Sequence, residues 1–187
     1  MSGSINRRFW EQKFDRLDDY LRELKNKEKK MEAKNTSATE PAERVLVIER
    51  IFDAPRSLVF KAWTEPEHMV QWFGPRGFTS AILRSELRQG GAYRIHMRGP
   101  EGDDHWMQGV FREVVEPERL VMASNWADSE GNPTSPETIL SLTFQEHDGK
   151  TKLTLRQALF ESVTARDAHR SGWSSSLDRL AEHLAKA

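Results

Sequence analysis

Thr164-Ala165-Arg166-Asp167, continued through Gly172-Trp173 to Leu177, Leu180 and Leu184, is the stretch whose reading decides the fold. Thr164 with Asp167 three residues on has the form of a capping box, with Asp in the place usually held by Glu or Gln. The apolar stripe behind it recurs at helical spacing and predicts one amphipathic helix of about twenty residues, longer than most globular helices. Trp173, Leu177, Leu180 and Leu184 form its apolar face, and each contributes roughly 1.5–3 kcal/mol when fully buried. Such a face needs a sheet to lie on. Gly172 stands in mid-helix, where glycine costs about 1 kcal/mol relative to alanine, so it is either a tolerated small residue or one lining a close approach or a cavity.

Working back from the helix, Phe78 to Phe160 has the period of strands separated by turns. Phe78 to Leu87, Ala92 to Arg98, His105 to Val115, Leu120 to Trp126, Thr138 to Phe144 and Thr151 to Leu159 read as six strands. Tyr93, Ile95 and Met97 alternate with Arg94, His96 and Arg98, giving one apolar and one wet face, as in an antiparallel sheet. His147-Asp148-Gly149-Lys150 is a hairpin turn. Upstream, Val45 to Phe52 reads as a further strand, stopped by Asp53-Ala54-Pro55. Val59, Phe60 and Trp63 then mark a short helix. Thr64-Glu65-Pro66-Glu67 has a capping-box pattern before a second short helix carrying Met69, Val70, Trp72 and Phe73, which Gly74-Pro75 ends.

The fold class is therefore α+β. A curved antiparallel sheet of about six to seven strands wraps a long C-terminal helix, with two short helices after the first strand. One helix cannot fill the whole concavity of such a sheet, and the cavity left beside it is the usual kind of small-molecule site. Residues 1–40 differ in character. Trp10, Phe14, Leu17, Leu21 and Leu24 make an extra amphipathic helix, followed by a polar linker through Lys25-Asn26-Lys27-Glu28-Lys29-Lys30 to Pro41. That helix is expected to dock on its own domain or on a twin as a homodimer, or to hold a partner. Residues 41–187 form the second, ligand-binding domain.

The composition excludes several classes. The 187 residues are 37% hydrophobic and 30% charged, with a formal net charge of −1, which signals neither a nucleic-acid nor an anionic-membrane partner. With no cysteine, there is no disulfide framework, thiolate nucleophile or cysteine metal site. No run approaches the length of a membrane span and no signal-peptide core is present, so a soluble cytoplasmic protein is expected.

Phe52-Asp53-Ala54-Pro55-Arg56, Val59-Phe60-Lys61-Ala62-Trp63-Thr64-Glu65-Pro66-Glu67 and Trp72-Phe73-Gly74-Pro75 together resemble a known opening signature. It is that of the activator of 90-kDa heat-shock-protein ATPase homologue family, within the START-related SRPBCC superfamily. Leu87-Arg88-Gln89-Gly90-Gly91, Val115 to Leu120, Thr151 to Leu155 and Gly172 to Leu180 fall in that family's order and spacing, so the likeness covers about residues 43–186. The resemblance implies the helix-grip fold of the birch-pollen allergen and a hydrophobic cavity between sheet and long helix. It implies relatives that bind lipids, polyketides or plant hormones, and some that catalyse cyclisation or aromatisation. The name comes from co-chaperones that stimulate the chaperone's ATPase, but residues 1–40 are too short to be their chaperone-binding N-terminal domain.

The chemistry visible in the sequence favours a binding role. The six histidines form no H-E-x-x-H pair and no group with metal spacing, so no metal and no cofactor is expected. His96 and His105, with Asp103 and Asp104, surround one hairpin and read as a solvated cluster. Ser174, Ser175 and Ser176 lack the strand–turn–helix setting of a nucleophile elbow. The candidate ligand-binding residues are Trp72, Tyr93, Met97, Met107, Phe111, Trp126 and Trp173. Tyr93 and Met97 are placed inward by alternation, Trp173 by the helix and Trp72 by the lid. The two faces of the strand at Trp106 and Met107 are mixed and leave the inward side open. Tyr93, Gln157 or Arg50 would supply a general acid or base if there is one, though no paired group is evident to tune it. The expected function is binding of a hydrophobic or aromatic small molecule. The alternatives are a cyclase or aromatase in the same cavity and a chaperone-interacting protein.

Overall fold

β1 (Leu46–Phe52) follows a single helical turn at Ala42–Arg44, in a computed structural model that describes residues 41–186. The expected N-terminal helix and linker lie outside the described residues. After β1 come α1 (Arg56–Thr64) and α2 (Pro66–Trp72), the strands β2 (Thr79–Ser85), β3 (Ala92–Arg98), β4 (Asp104–Val115), β5 (Arg119–Ala127), β6 (Thr138–His147) and β7 (Lys150–Ala158), and finally α3 (Val163–Leu184). This is the expected order of strand, two helices, six strands and long helix.

The seven strands make one antiparallel sheet in the order β1-β7-β6-β5-β4-β3-β2. β1 is the first strand in sequence, yet it pairs with the last, Leu46 opposite Gln157 and Phe52 opposite Thr151. The crossover from β1 to β2, at the opposite sheet edge, is occupied by α1 and α2. Inward positions form a continuous core: Leu140, Leu142 and Phe144 from β6, Leu153 and Leu155 from β7, and Leu120 and Met122 from β5. Onto them α3 lays Trp173, Leu177, Leu180 and Leu184, the predicted stripe. The turn between β6 and β7 holds Asp148 and Gly149 at φ of 51° and 78°, the left-handed pair that Asp-Gly supplies in a two-residue hairpin. At Gly109 a Cβ would stand 1.8 Å from the Ala123 carbonyl oxygen, so only glycine lets β4 approach β5 there.

Both capping boxes read from the sequence are differently built. The N-cap of α3 is Ser162, whose hydroxyl accepts from the Ala165 backbone N–H; Thr164 is already inside the helix. Likewise Thr64 Oγ1 donates back to the Phe60 carbonyl at 2.9 Å instead of capping α2. Pro66 opens α2 at its first position, where the missing N–H costs nothing.

Arg179, on the flank of α3, fixes the segment after α2. Its guanidinium donates to the carbonyls of Gln71, Gly74, Pro75 and Phe78, and burial foremost, then Arg76, lowers its pKa. The Arg76 backbone N–H donates to Ser175 Oγ, and the Arg76 side chain pairs with Glu182 at 2.7 Å. His68 Nδ1 meets His183 Nε2 at 2.9 Å. These contacts tie α2 and its following loop to the far half of α3. The near half, from Ala165 to Trp173, is left to face a void.

Candidate functional site

The void is a cavity of about 440 Å³ between the sheet and the first half of α3. Its floor is Met97, Met107 and Trp126 from β3, β4 and β5, with Met107 directly opposite Trp126 in register. One side is the Phe73-Gly74-Pro75 loop with Phe78, and the other is Leu159, Phe160 and Glu161 leading into α3. The roof is Ala165, Ala168, His169, Gly172, Trp173 and Ser176, residues that share one face through their three- and four-residue spacing. Gly172 belongs to this roof: a Cβ there would have Pro75 Cγ at 3.8 Å as its nearest neighbour, an ordinary contact. Its reading as a lining residue therefore fits, and no close backbone approach demands it.

At the inner end the polar groups engage one another. Trp173 Nε1 donates to Gln157 Oε1 at 2.8 Å, Gln157 Nε2 donates to Thr138 Oγ1 at 2.9 Å, and Thr138 Oγ1 donates to the Ser124 carbonyl. Ser176 Oγ donates to the Gly172 carbonyl. Gln157 is 3% exposed, so an open end in this relay would carry the full cost of an unsatisfied buried polar group.

Aromatic rings arc across the mouth. Phe78 stands 5.7 Å from His105, His105 6.2 Å from Trp126, Trp126 5.9 Å from His169 and His169 4.9 Å from Phe160. His169 Nδ1 must carry the proton, because its partner at 2.9 Å is the Ala165 carbonyl, which only accepts. His105 Nε2 is bonded to the Asp103 carboxylate, and this bond lowers the Asp103 pKa. Beyond the mouth, His105, Trp126 and Ser135 continue into an outer groove lined by Asp104, Trp106 and Asp128.

Of the seven candidate residues, the structure brings Met97, Met107, Trp126 and Trp173 together on the cavity wall. The other three lie elsewhere. Trp72 is wholly buried, packed edge-on to Trp63 at 4.7 Å, with its indole N–H on the Ala62 carbonyl; it is core beneath the lid. Tyr93 and Phe111 do point inward, but deeper, around a separate void of about 10 Å³, room for roughly one water. The Tyr93 hydroxyl donates to the Ala123 carbonyl, and burial pushes its pKa up, so it is a fixed donor rather than an acid or base. Arg50 is exposed and pairs with Asp178 at 3.7 Å, away from the cavity. Gln157 does line it.

The open question at Trp106 and Met107 resolves cleanly. Met107 faces in, while Trp106 faces out and stacks on His96 at 5.1 Å. His96 in turn holds Asp104 at 2.7 Å, the outer half of the predicted cluster. Arg94, expected on the wet face, is half-buried under the loop after β5 and donates to the Asp128 and Ser129 carbonyls. His169, Phe160 and Phe78 were not among the candidates. His169 had a usable signal, since it precedes Trp173 by one helical turn.

Among the described residues no group of three or more His, Asp or Glu is placed to hold a metal ion, and no helix is long and apolar enough to cross a membrane.

Comparison with known families matches residues 53–185 to the model of the Activator of Hsp90 ATPase homolog 1-like proteins. The chain belongs to that family. Its members share the helix-grip arrangement just described. A solved protein from Chromobacterium violaceum is 24% identical with a TM-score of 0.69, the match covering 75% of this chain and 96% of that one. One from Nitrosomonas europaea is 27% identical with a TM-score of 0.67, covering 78% and 97%. The AHSA1 protein from Silicibacter pomeroyi is 24% identical with a TM-score of 0.68, covering 75% and 97%. None of the curated proteins matches. At these identities the structural neighbours speak for the fold, and family membership rests on the match over residues 53–185.

Proposed function

We propose that this member of the Activator of Hsp90 ATPase homolog 1-like family binds a small molecule with a hydrophobic, aromatic body in the cavity under α3. The observation that carries the reading is the 440 Å³ void walled by Phe73, Phe78, Met97, Met107, Trp126, Phe160 and Trp173. That volume lies in the ordinary range of ligand pockets, roughly 300–1,000 Å³. Apolar walls left uncovered in this way forgo the burial that a packed core would give them.

A cyclase or aromatase would need polar groups free to act on the ligand. Thr138, Gln157 and Ser176 converge on the cavity with hydrogen bonds that run to one another, to Trp173 or to backbone, whereas Asn125 Oδ1 on the same wall is buried without a partner and is free to accept from a ligand. A relay closed on itself, with one free acceptor and no paired acid and base, supports binding over catalysis.

Thermal-shift screening against flavonoids, polycyclic aromatic ketones and fatty acids tests the proposal. A compound present at about one hundred times its Kd adds about 2.7 kcal/mol, which raises Tm by roughly 5–10 °C for a domain of this size. A panel in which no compound raises Tm counts against the reading.

A further inference from the structure

We propose that the cavity selects by charge, admitting uncharged and cationic aromatic molecules and rejecting anionic ones. The inference rests on the binding role proposed above and deepens it. Among the described lining residues there is no lysine or arginine, and Glu161 is the one carboxylate. The groove outside the mouth adds Asp104 and Asp128, and Asp103 sits on His105. An anion entering here leaves water for apolar walls and passes carboxylates on the way, with both desolvation and like-charge repulsion against it.

The cationic groups nearest the site keep their charge but have donors directed at backbone carbonyls, away from an incoming anion, with Arg94 Nε buried and unpartnered. Arg179, behind the Phe73–Phe78 rim, is held by four carbonyl oxygens. Arg94, behind the groove, donates to the carbonyls of Asp128 and Ser129. The His105 ring bonds the Asp103 carboxylate, and His169 Nδ1 bonds the Ala165 carbonyl. The N-terminus of α3 is the rim feature that favours an anion, and its first turn is capped by Ser162 immediately after Glu161. A cation meets the opposite situation, with the aromatic walls Trp126 and Phe160 and nearby carboxylates to receive it.

Two fluorescent probes with the same aromatic body decide the matter on the full chain: neutral N-phenylnaphthylamine and its sulfonate, anilinonaphthalene sulfonate. The neutral probe is expected to bind at least about tenfold more tightly at low salt, with the ratio shrinking as added salt screens the rim. Glu161→Arg, at an exposed position on the rim, is expected to shift the ratio of sulfonate to neutral-probe affinity about threefold toward the sulfonate. Equal binding of the two probes, or a Glu161→Arg variant that leaves that ratio unaffected, overturns the charge selection and leaves the binding role standing. If neither probe binds, the binding role itself fails, and the selection with it.

Discussion

Gln157 holds two partners at once, accepting from Trp173 Nε1 and donating to Thr138 Oγ1. Leucine in its place fits the same volume but strands Trp173 Nε1, while Thr138 Oγ1 keeps its bond to the Ser124 carbonyl. Gln157→Leu is expected to lower unfolding free energy by about 1–3 kcal/mol in urea titration; no loss would mean the relay carries no energy. Period-two alternation placed Gln157 on the inward face of β7, so its direction was legible in sequence. Its engagement by Trp173 was not, because it depends on where an α3 residue lands on the sheet. The same limit explains Tyr93 and Phe111: alternation assigns a face, whereas depth along that face separates core from cavity. Trp72 failed for another reason. A stripe on a short lid helix says that the residue is covered, and here it is Trp63 and Ala62 that cover it.

At the scale of elements, α3 was the most legible part of the chain, since four apolar residues at helical spacing have few other solutions. Its start was misplaced by two residues. Ser162 and Thr164 are both good caps, and the choice between them is made by the path of the chain leaving β7. Leu177 is 1% exposed under this helix, and Leu177→Ala is expected to cost about 2–5 kcal/mol as a core truncation; a loss below about 1 kcal/mol would put it on the wrong face. The contact of α3 with α2 gives a pH dependence. The His68 and His183 nitrogens share one hydrogen bond at 2.9 Å, which two protonated rings cannot make. Burial first, then the charges of His68 and Lys186, lowers the His183 pKa from 6.5. The unfolded chain therefore binds the proton more readily than the folded one. The stability this group contributes is present above its unfolded pKa and is lost as pH falls through the folded value. Denaturation midpoints of the wild type are expected to fall more steeply below pH 6.5 than those of His183→Gln; parallel curves would remove the pair as a pH-sensitive contact.

For the whole molecule, the sheet, lid and long helix were legible because each segment's period, turn chemistry and position agreed on one topology. The family motifs fall on elements that build this frame. What occupies the cavity is not encoded in any motif, since Phe, Trp and Met serve equally as core and as wall. Phe160 shows this, being ordinary by pattern and part of the cavity wall only once α3 is docked. Residues 1–40 stand apart from this account. If their apolar stripe pairs two copies, the full chain sediments as a dimer and residues 41–187 alone as a monomer; identical oligomeric states would remove that pairing.

The central claim is that the space under α3 is kept open for a ligand. Gly172 lines that space, and a Cβ there is unobstructed, with Pro75 at 3.8 Å as its nearest neighbour. Gly172→Leu should therefore project into the cavity and narrow it, while helping the helix by up to about 1 kcal/mol. The measurement is N-phenylnaphthylamine titration of wild type and Gly172→Leu, each checked for Tm. The account predicts an unchanged or raised Tm together with a loss of probe binding of at least about tenfold, or 1.4 kcal/mol. A well-folded variant that binds the probe as tightly as wild type would contradict it.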